Sequence, residues 1–192
     1  MSERQGPIDW AALAGSVGFV IIRADDGVQR ADLTYRANAE AAWAAGVPAA
    51  FYHEIDPLGA PAGLQALAFA HLTAARVRVP LALGLEDPDG RMGAAFAAAF
   101  AATLIALGRP PPLVYLDRAM LAAEDWSACV GLGCGLWLAE PTGATGAPQG
   151  TAPWPFAALR QYSWEGVLPG VEGPVDLDAF YGDADQFAAY GG

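Results

Sequence analysis

A chain of 192 residues, 54% of them hydrophobic, is long enough for one well-packed domain and short for two. Its formal net charge of −11, with ten arginines and no lysine, excludes a nucleic-acid groove and a polybasic membrane contact, because both need concentrated positive charge. Cys129 and Cys134 are too few for a disulfide framework and have no partners at zinc-site spacing, so they read as reduced, half-buried thiols, with a local bridge between them left open.

In chain order, residues 1–7 contain no apolar core of a signal peptide, so no secretory signal is expected. Apolar runs of strand length follow at 18–23, 48–53, 80–86, 113–116 and 135–139. Helical segments lie between the earlier ones: 31–45, with Asp32 as candidate cap and Gly46 as stop, and 62–77, bounded by Pro61 and Pro80. Residues 140–155 read as a long Pro/Gly/Thr-rich loop, followed by strand-like pieces at 157–163 and 174–177 around a 166–173 turn. A domain over 1–182 and a surface tail over 183–192, held by Phe187 and Tyr190, complete the chain. The strands are apolar almost throughout, as when both faces are covered, and their alternation with helices predicts a parallel α/β sheet closed as a TIM-like (β/α) barrel.

The 92–108 segment carries Phe96, Phe100, Leu104 and Leu107 at helical spacing. It is shorter than the ~20 residues of a membrane span and rich in alanine, so it is expected to be a globular helix. Only Thr103 gives it a polar side chain, which leaves two readings: small alanines tolerated at a surface, or a face covered by a protein partner or a second copy.

In parallel barrels the working residues gather at the C-terminal strand ends. Here those positions hold Asp25 and Asp26, His53 and Glu54, Glu86 and Asp87, Asp117, Glu140, and Asp176 with Asp178. Such an acidic mouth suits a neutral or weakly charged sugar, with carboxylates to protonate an oxygen or accept hydroxyl hydrogen bonds. Leu83-Gly84-Leu85-Glu86 is the most telling stretch, since positions i and i+2 of a strand share a face and a carboxylate at 84 would stand beside Glu86. Glycine is there instead. Tyr52, Tyr115, Trp137 and Tyr162 are candidate stacking surfaces for a pyranose. His53 is expected to be packed and hydrogen-bonded rather than a general base. For Glu86 a site position is favoured over pairing with Arg23 or Arg118, whereas Asp176 could equally cap a turn.

Several pieces, in order, resemble the glycoside hydrolase family 25 lysozymes, which cleave the glycan of peptidoglycan. The opening Ser2-Glu3-Arg4-Gln5-Gly6-Pro7-Ile8-Asp9-Trp10, the strand Gly18-Phe19-Val20-Ile21-Ile22-Arg23-Ala24, and Asp32 with Tyr35 and Asn38 are similar to that family. So are the strand that ends in Tyr52-His53, Gln65-Ala66, Leu136-Trp137-Leu138-Ala139, and Arg160-Gln161-Tyr162-Ser163 followed by Gly170, Gly173 and Val175-Asp176-Leu177-Asp178-Ala179-Phe180. The resemblance implies a general acid at Glu86 and an assisting Asp at position 84, which is Gly84. It implies a further Asp on the first strand, ahead of residue 1, so that strand is expected to be shortened. A third Asp matches Asp176.

With two of four family carboxylates absent, the expectation is a lysozyme-like barrel that binds cell-wall glycan or serves as a structural part of a phage-like particle, its muramidase catalysis lost. The alternative is an active muramidase with Glu86 as acid, Asp176 supporting, and Glu54 or Asp26 replacing the lost partner. Substrate contacts are assigned to Asp26, Tyr52, Glu54, Tyr115, Trp137 and Gln161. No cofactor or metal is expected, and the setting is a virion or other extracellular particle, or otherwise the cytoplasm until release.

Overall fold

The computed structural model describes residues 1–28, 30–56, 59–73, 81–84 and 93–189. Eight strands form one sheet: β1 (Val20–Asp26), β2 (Arg30–Ala31), β3 (Ala49–Glu54), β4 (Leu81–Gly84), β5 (Leu113–Asp117), β6 (Gly135–Ala139), β7 (Leu159–Gly166) and β8 (Val175–Phe180), in the order β2-β1-β3-β4-β5-β6-β7-β8. β1 and β3 to β7 run parallel, whereas β2 and β8 lie antiparallel at the two margins. The α/β class is as expected, but the sheet is not wholly parallel and no strand pair closes it among the described residues. Connection length accounts for the two exceptions. A parallel return needs a crossover of about a dozen residues or more, and the links before β2 (27–29) and β8 (167–174) are too short for one. At the outer edge of β1, the Met1 amine donates to Ile21 O (2.7 Å) and Arg23 N donates to Met1 O (2.8 Å).

The helices are α1 (Trp10–Leu13), α2 (Tyr35–Ala44), α3 (Ala62–Thr73), α4 (Ala94–Ala106), α5 (Arg118–Ala123), α6 (Ser127–Gly131) and α7 (Ala184–Ala189). Asp9 and Asp117 cap α1 and α5 by accepting backbone N–H bonds, as short polar side chains do at helix starts. Asp32 is not the cap of α2. That helix begins after Thr34, and Asp32 turns one oxygen to the Thr34 N–H and hydroxyl (2.9 and 2.8 Å) and the other to Arg23. α6 closes with Gly133 N on Val130 O (2.9 Å) and Cys134 N on Cys129 O (3.0 Å), around a Gly133 φ of +83°. This Schellman geometry brings Cys129 and Cys134 together. Both are unbridged and fully buried rather than half-buried. α7 is anchored by Phe187, whose ring lies 4.7 Å from Phe19 and 5.2 Å from Phe180.

One face of the sheet packs on helices. Val114, Leu116, Leu136 and Leu138 meet Ala94, Ala97 and Ala101 of α4 and Cys129 of α6. Phe69 of α3 and Phe100 of α4 flank His53 of β3, with centroids 5.6 and 5.0 Å from its ring. Phe69, Phe100 and Leu104 are among the fully buried side chains, each worth about 1.5–3 kcal/mol of burial. The outward positions of α4 are Ala95, Ala99, Ala102 and Ala106, so that face is a run of small side chains ending at Leu107. Among the described residues no helix is long and apolar enough to cross a membrane. Alternation along the strands sends Tyr52, Glu54, Tyr115 and Trp137 to the face opposite the helices, and the candidate site is built there.

Candidate functional site at the strand ends

An irregularity in β1 sorts its charged residues. Arg23 is in register with Tyr52, but the pairing shifts before Asp25, which stands opposite His53. A bulge of this kind re-aims the side chains that follow it. Asp25 therefore joins His53 on the helix side, where His53 Nδ1 lies 2.7 Å from Asp25 Oδ1 and Nε2 lies 2.9 Å from Gln65 Oε1. Gln65 Nε2 donates to Ala60 O and Asp56 O (2.6 and 2.9 Å), which assigns its oxygen to His53 and leaves Nε2 as the ring donor. Burial raises the Asp25 carboxyl above its usual range, against the opposing pull of its hydrogen bond to His53. This buried chain is structural support behind the site, in keeping with the packed role expected for His53.

Arg23, 2% exposed, forms the second support. Its Nη1 donates to Glu54 (2.7 Å), its Nε and Nη2 to Asp32 (3.2 and 3.1 Å), and its Nη2 also reaches Glu3 (3.4 Å). Burial alone would lower the guanidinium; its bonds to Glu54 and Asp32 reverse this and raise it. For Asp32, burial pushes the carboxyl up, but donors from Glu3, Thr34 and Arg23 outweigh it and hold the carboxyl below its ordinary value. The N-terminal segment is thereby tied to β1 and β3 at the rim of the site.

A cavity of about 640 Å³ opens beside these residues, lined by Tyr52, Glu54, Tyr115, Trp137, Gln161 and Asp178 among others. The Trp137 ring stands edge-on to Tyr115 (5.0 Å, 83°) and to Tyr52 (6.4 Å, 82°). Its Nε1 donates to Asp178 Oδ1 at 2.7 Å. Gln161 Oε1 accepts from Tyr115 Oη and from Trp164 Nε1, both at 2.7 Å, which fixes the amide and leaves its NH₂ group as the donor end. Burial pushes the Asp178 carboxyl up to about 7, against the Trp137 bond, with Asp176 adding to the rise. Asp176, more open to solvent, is also raised by desolvation. A cavity with aromatic walls, an oriented amide and one carboxyl, Asp178, raised to about 7 can stack a sugar ring and exchange protons with its oxygens.

Of the residues expected from sequence, Tyr52, Glu54, Tyr115, Trp137, Gln161 and Asp176 line this one cavity. Asp26 stands apart at the end of β1, 3.7 Å from Arg30, and is not among the lining residues. Glu86 lies outside the described residues. Gly84 ends β4 in register with Glu54, so a side chain at 84 would fall on the cavity face. Neither carboxylate considered as a replacement is unengaged, since Glu54 is held by Arg23 and Asp26 by Arg30. Arg118, a partner considered for Glu86, is bound to Glu140 (2.9 Å). Asp178 stands among the strand-end acids read from sequence but was given no role there, and Trp164 was not selected. The i, i+2 relation to Asp176 was a signal for the first, but nothing local marked the second. Among the described residues no group of three His, Cys, Asp or Glu side chains is placed to hold a metal ion.

The chain matches known proteins along its whole length. The model of a family described as glycosyl hydrolases family 25 matches residues 1–171. Lysozyme M1 of Streptomyces globisporus is 28% identical over 205 residues, a span of 98% of this chain and 69% of that protein. Among solved structures, the bacterial lysozyme of Streptomyces coelicolor is similar at a TM-score of 0.83 and 25% identity, covering 100% of this chain and 94% of its own. The muramidase of Trichobolus zukalii, at 22% identity, shares the fold with a TM-score of 0.77, over 100% of this chain and 96% of that one.

Proposed function

Because the chain belongs to family 25 of the glycosyl hydrolases, we propose that it takes the glycan strand of peptidoglycan into the cavity at its strand ends, and that it binds this glycan far better than it cuts it. The observation that carries this reading is the joining of the Tyr52, Tyr115 and Trp137 rings, Gln161 and the three carboxyls Glu54, Asp176 and Asp178 in a single cavity of about 640 Å³. The weak hydrolysis follows from Gly84. Its register beside Glu54 aims position 84 at the cavity, yet no carboxylate is supplied there, and removal of one charge-stabilising group from a transition state costs roughly 10²–10³ in rate.

A second reading, an active muramidase with Glu86 as acid, is favoured by Asp178, pushed up to about 7 by burial, and by Asp176, raised by desolvation, which supply the same cavity with carboxyls other than the missing one. Sedimentation with insoluble peptidoglycan, run beside a turbidity assay on wild type, Glu86→Gln and Gly84→Asp, separates the two. Binding without clearing, with clearing gained in Gly84→Asp, supports the first. Clearing by wild type that is lost in Glu86→Gln supports the second, and neither binding nor clearing overturns both.

A further inference from the structure

Trp137 is held from three sides. Tyr115 and Tyr52 meet its ring edge-on, and its only polar atom donates to Asp178, which comes from a different strand. Asp178 lines the cavity, stands opposite Gln161 in the β7–β8 ladder, and uses one oxygen for the indole. Among the described residues no donor is bonded to its other oxygen, and the side chain is half-buried. We propose that Asp178 is a positioning residue of the glycan cavity: it pins the Trp137 indole and, through the proton it gains or loses, sets how tightly the cavity holds glycan.

The charged surroundings make that proton responsive. Asp176, two residues along the same strand, opposes ionisation, and the Met1 amine favours it. From the other elements around the cavity, Arg4, Glu54, Tyr52, Tyr115 and Tyr162 are the titratable groups, and Glu54 is bound to Arg23. β7 contributes the neutral Gln161, β6 contributes Trp137, and α7 meets β8 through Phe187 on Phe180. Among the described residues no arginine forms an ion pair with Asp178, in contrast to Glu54, Asp26 and Asp32. Burial without a cation favours the neutral acid, and the carboxyl is accordingly raised to about 7. When neutral, Asp178 keeps an acceptor for the indole and offers an O–H donor to a sugar hydroxyl or an N-acetyl carbonyl. When ionised, it offers only acceptors and loses the O–H donor. Glycan binding should therefore be tighter below neutrality.

This inference rests on the glycan reading above, and its test has a readout that needs no glycan. The indole N–H resonance of Trp137, identified by its loss in Trp137→Phe, is followed by NMR from pH 5.5 to 8.5, while binding to insoluble peptidoglycan is measured over the same range. Wild type should show the resonance titrating near pH 7 and binding that weakens by about five- to tenfold, the change expected when the bound state prefers one protonation state by up to one pKa unit. Asp178→Asn keeps an acceptor and a neutral donor, so its resonance and binding should both stay level with pH at the acidic wild-type strength. Asp178→Ala should weaken binding at every pH. A wild-type indole resonance that does not titrate, or a binding profile shared by wild type and Asp178→Asn, overturns the inference and leaves the glycan reading standing. Absence of sedimentation at any pH overturns the glycan reading and the inference together.

Discussion

Replacing Arg23 by Met keeps much of the side-chain volume and removes the charge. Arg23 is 2% exposed and the Asp32 side chain 0%, so the variant strands a buried carboxylate and also releases Glu54 and Glu3. Breaking a buried ion pair from one side costs about 3–5 kcal/mol. Asp32 keeps three other donors, the Glu3 and Thr34 N–H groups and the Thr34 hydroxyl, which places the expected loss near the lower bound, about 3 kcal/mol. For a domain of this size that corresponds to a fall in Tm of roughly 6–12 °C. The pH dependence has a definite sign. Asp32 is held below its ordinary 3.8, so its stabilisation is present above that value and is lost as pH falls through its folded pKa. Arg23→Met removes one cause of that depression, so the gap to wild type should persist from pH 7 to pH 4 and narrow only below 3.8, as pH falls through the folded Asp32 pKa. Calorimetry at pH 7 and at about pH 2.5 measures it. A fall of less than about 2 °C at pH 7, or a gap undiminished at about pH 2.5, refutes the assignment of Arg23 as the charge that holds the N-terminal segment to β1 and β3.

Gln65→Leu leaves His53 Nε2 and the carbonyls of Ala60 and Asp56 without their partner, and urea unfolding should show a loss of about 2–4 kcal/mol. Gly170→Ala sets a Cβ 2.3 Å from Asp9 O at a φ of +80°, in the turn that accepts the Asp9 N–H; thermal melting should register a loss of about 1–3 kcal/mol. Asp178→Asn should raise Tm at pH 8 and not at pH 4. A carboxyl lifted from 3.8 to about 7 gives full stability below the lower value and loses up to about 4 kcal/mol as pH rises through the upper one, a cost the amide does not carry.

Much of the fold was legible because period and punctuation agree. The apolar runs at 113–116 and 135–139 became β5 and β6 with little change, and Gly46 and Gly108 sit at positive φ just past α2 and α4. Errors arose where partners distant in sequence decide. β1 extends to Asp26 because β2 and β3 pair with its acidic end, and Asp32, which has the local look of a cap, is taken by an arginine of β1. The closed parallel barrel was inferred from alternation alone, whereas the short link before β8 turns that strand back on β7.

The residues of the site were legible as types at strand ends, and most of those selected share one cavity. Their chemical states were not legible. Nothing in the string of letters separates Glu54, tied to Arg23, from Asp178, which has an indole partner and no arginine bonded to it among the described residues. Alternation along the chain is a local property, so the sequence by itself determined the strands, the helices, the acidic mouth and the glycine at position 84. Register, bulges and ion pairing depend on which strands lie side by side and in what alignment. Only the tertiary structure decided which carboxylates are neutralised by arginine and which keep a proton beside the aromatic wall, because desolvation and charge pairing are set by neighbours in space.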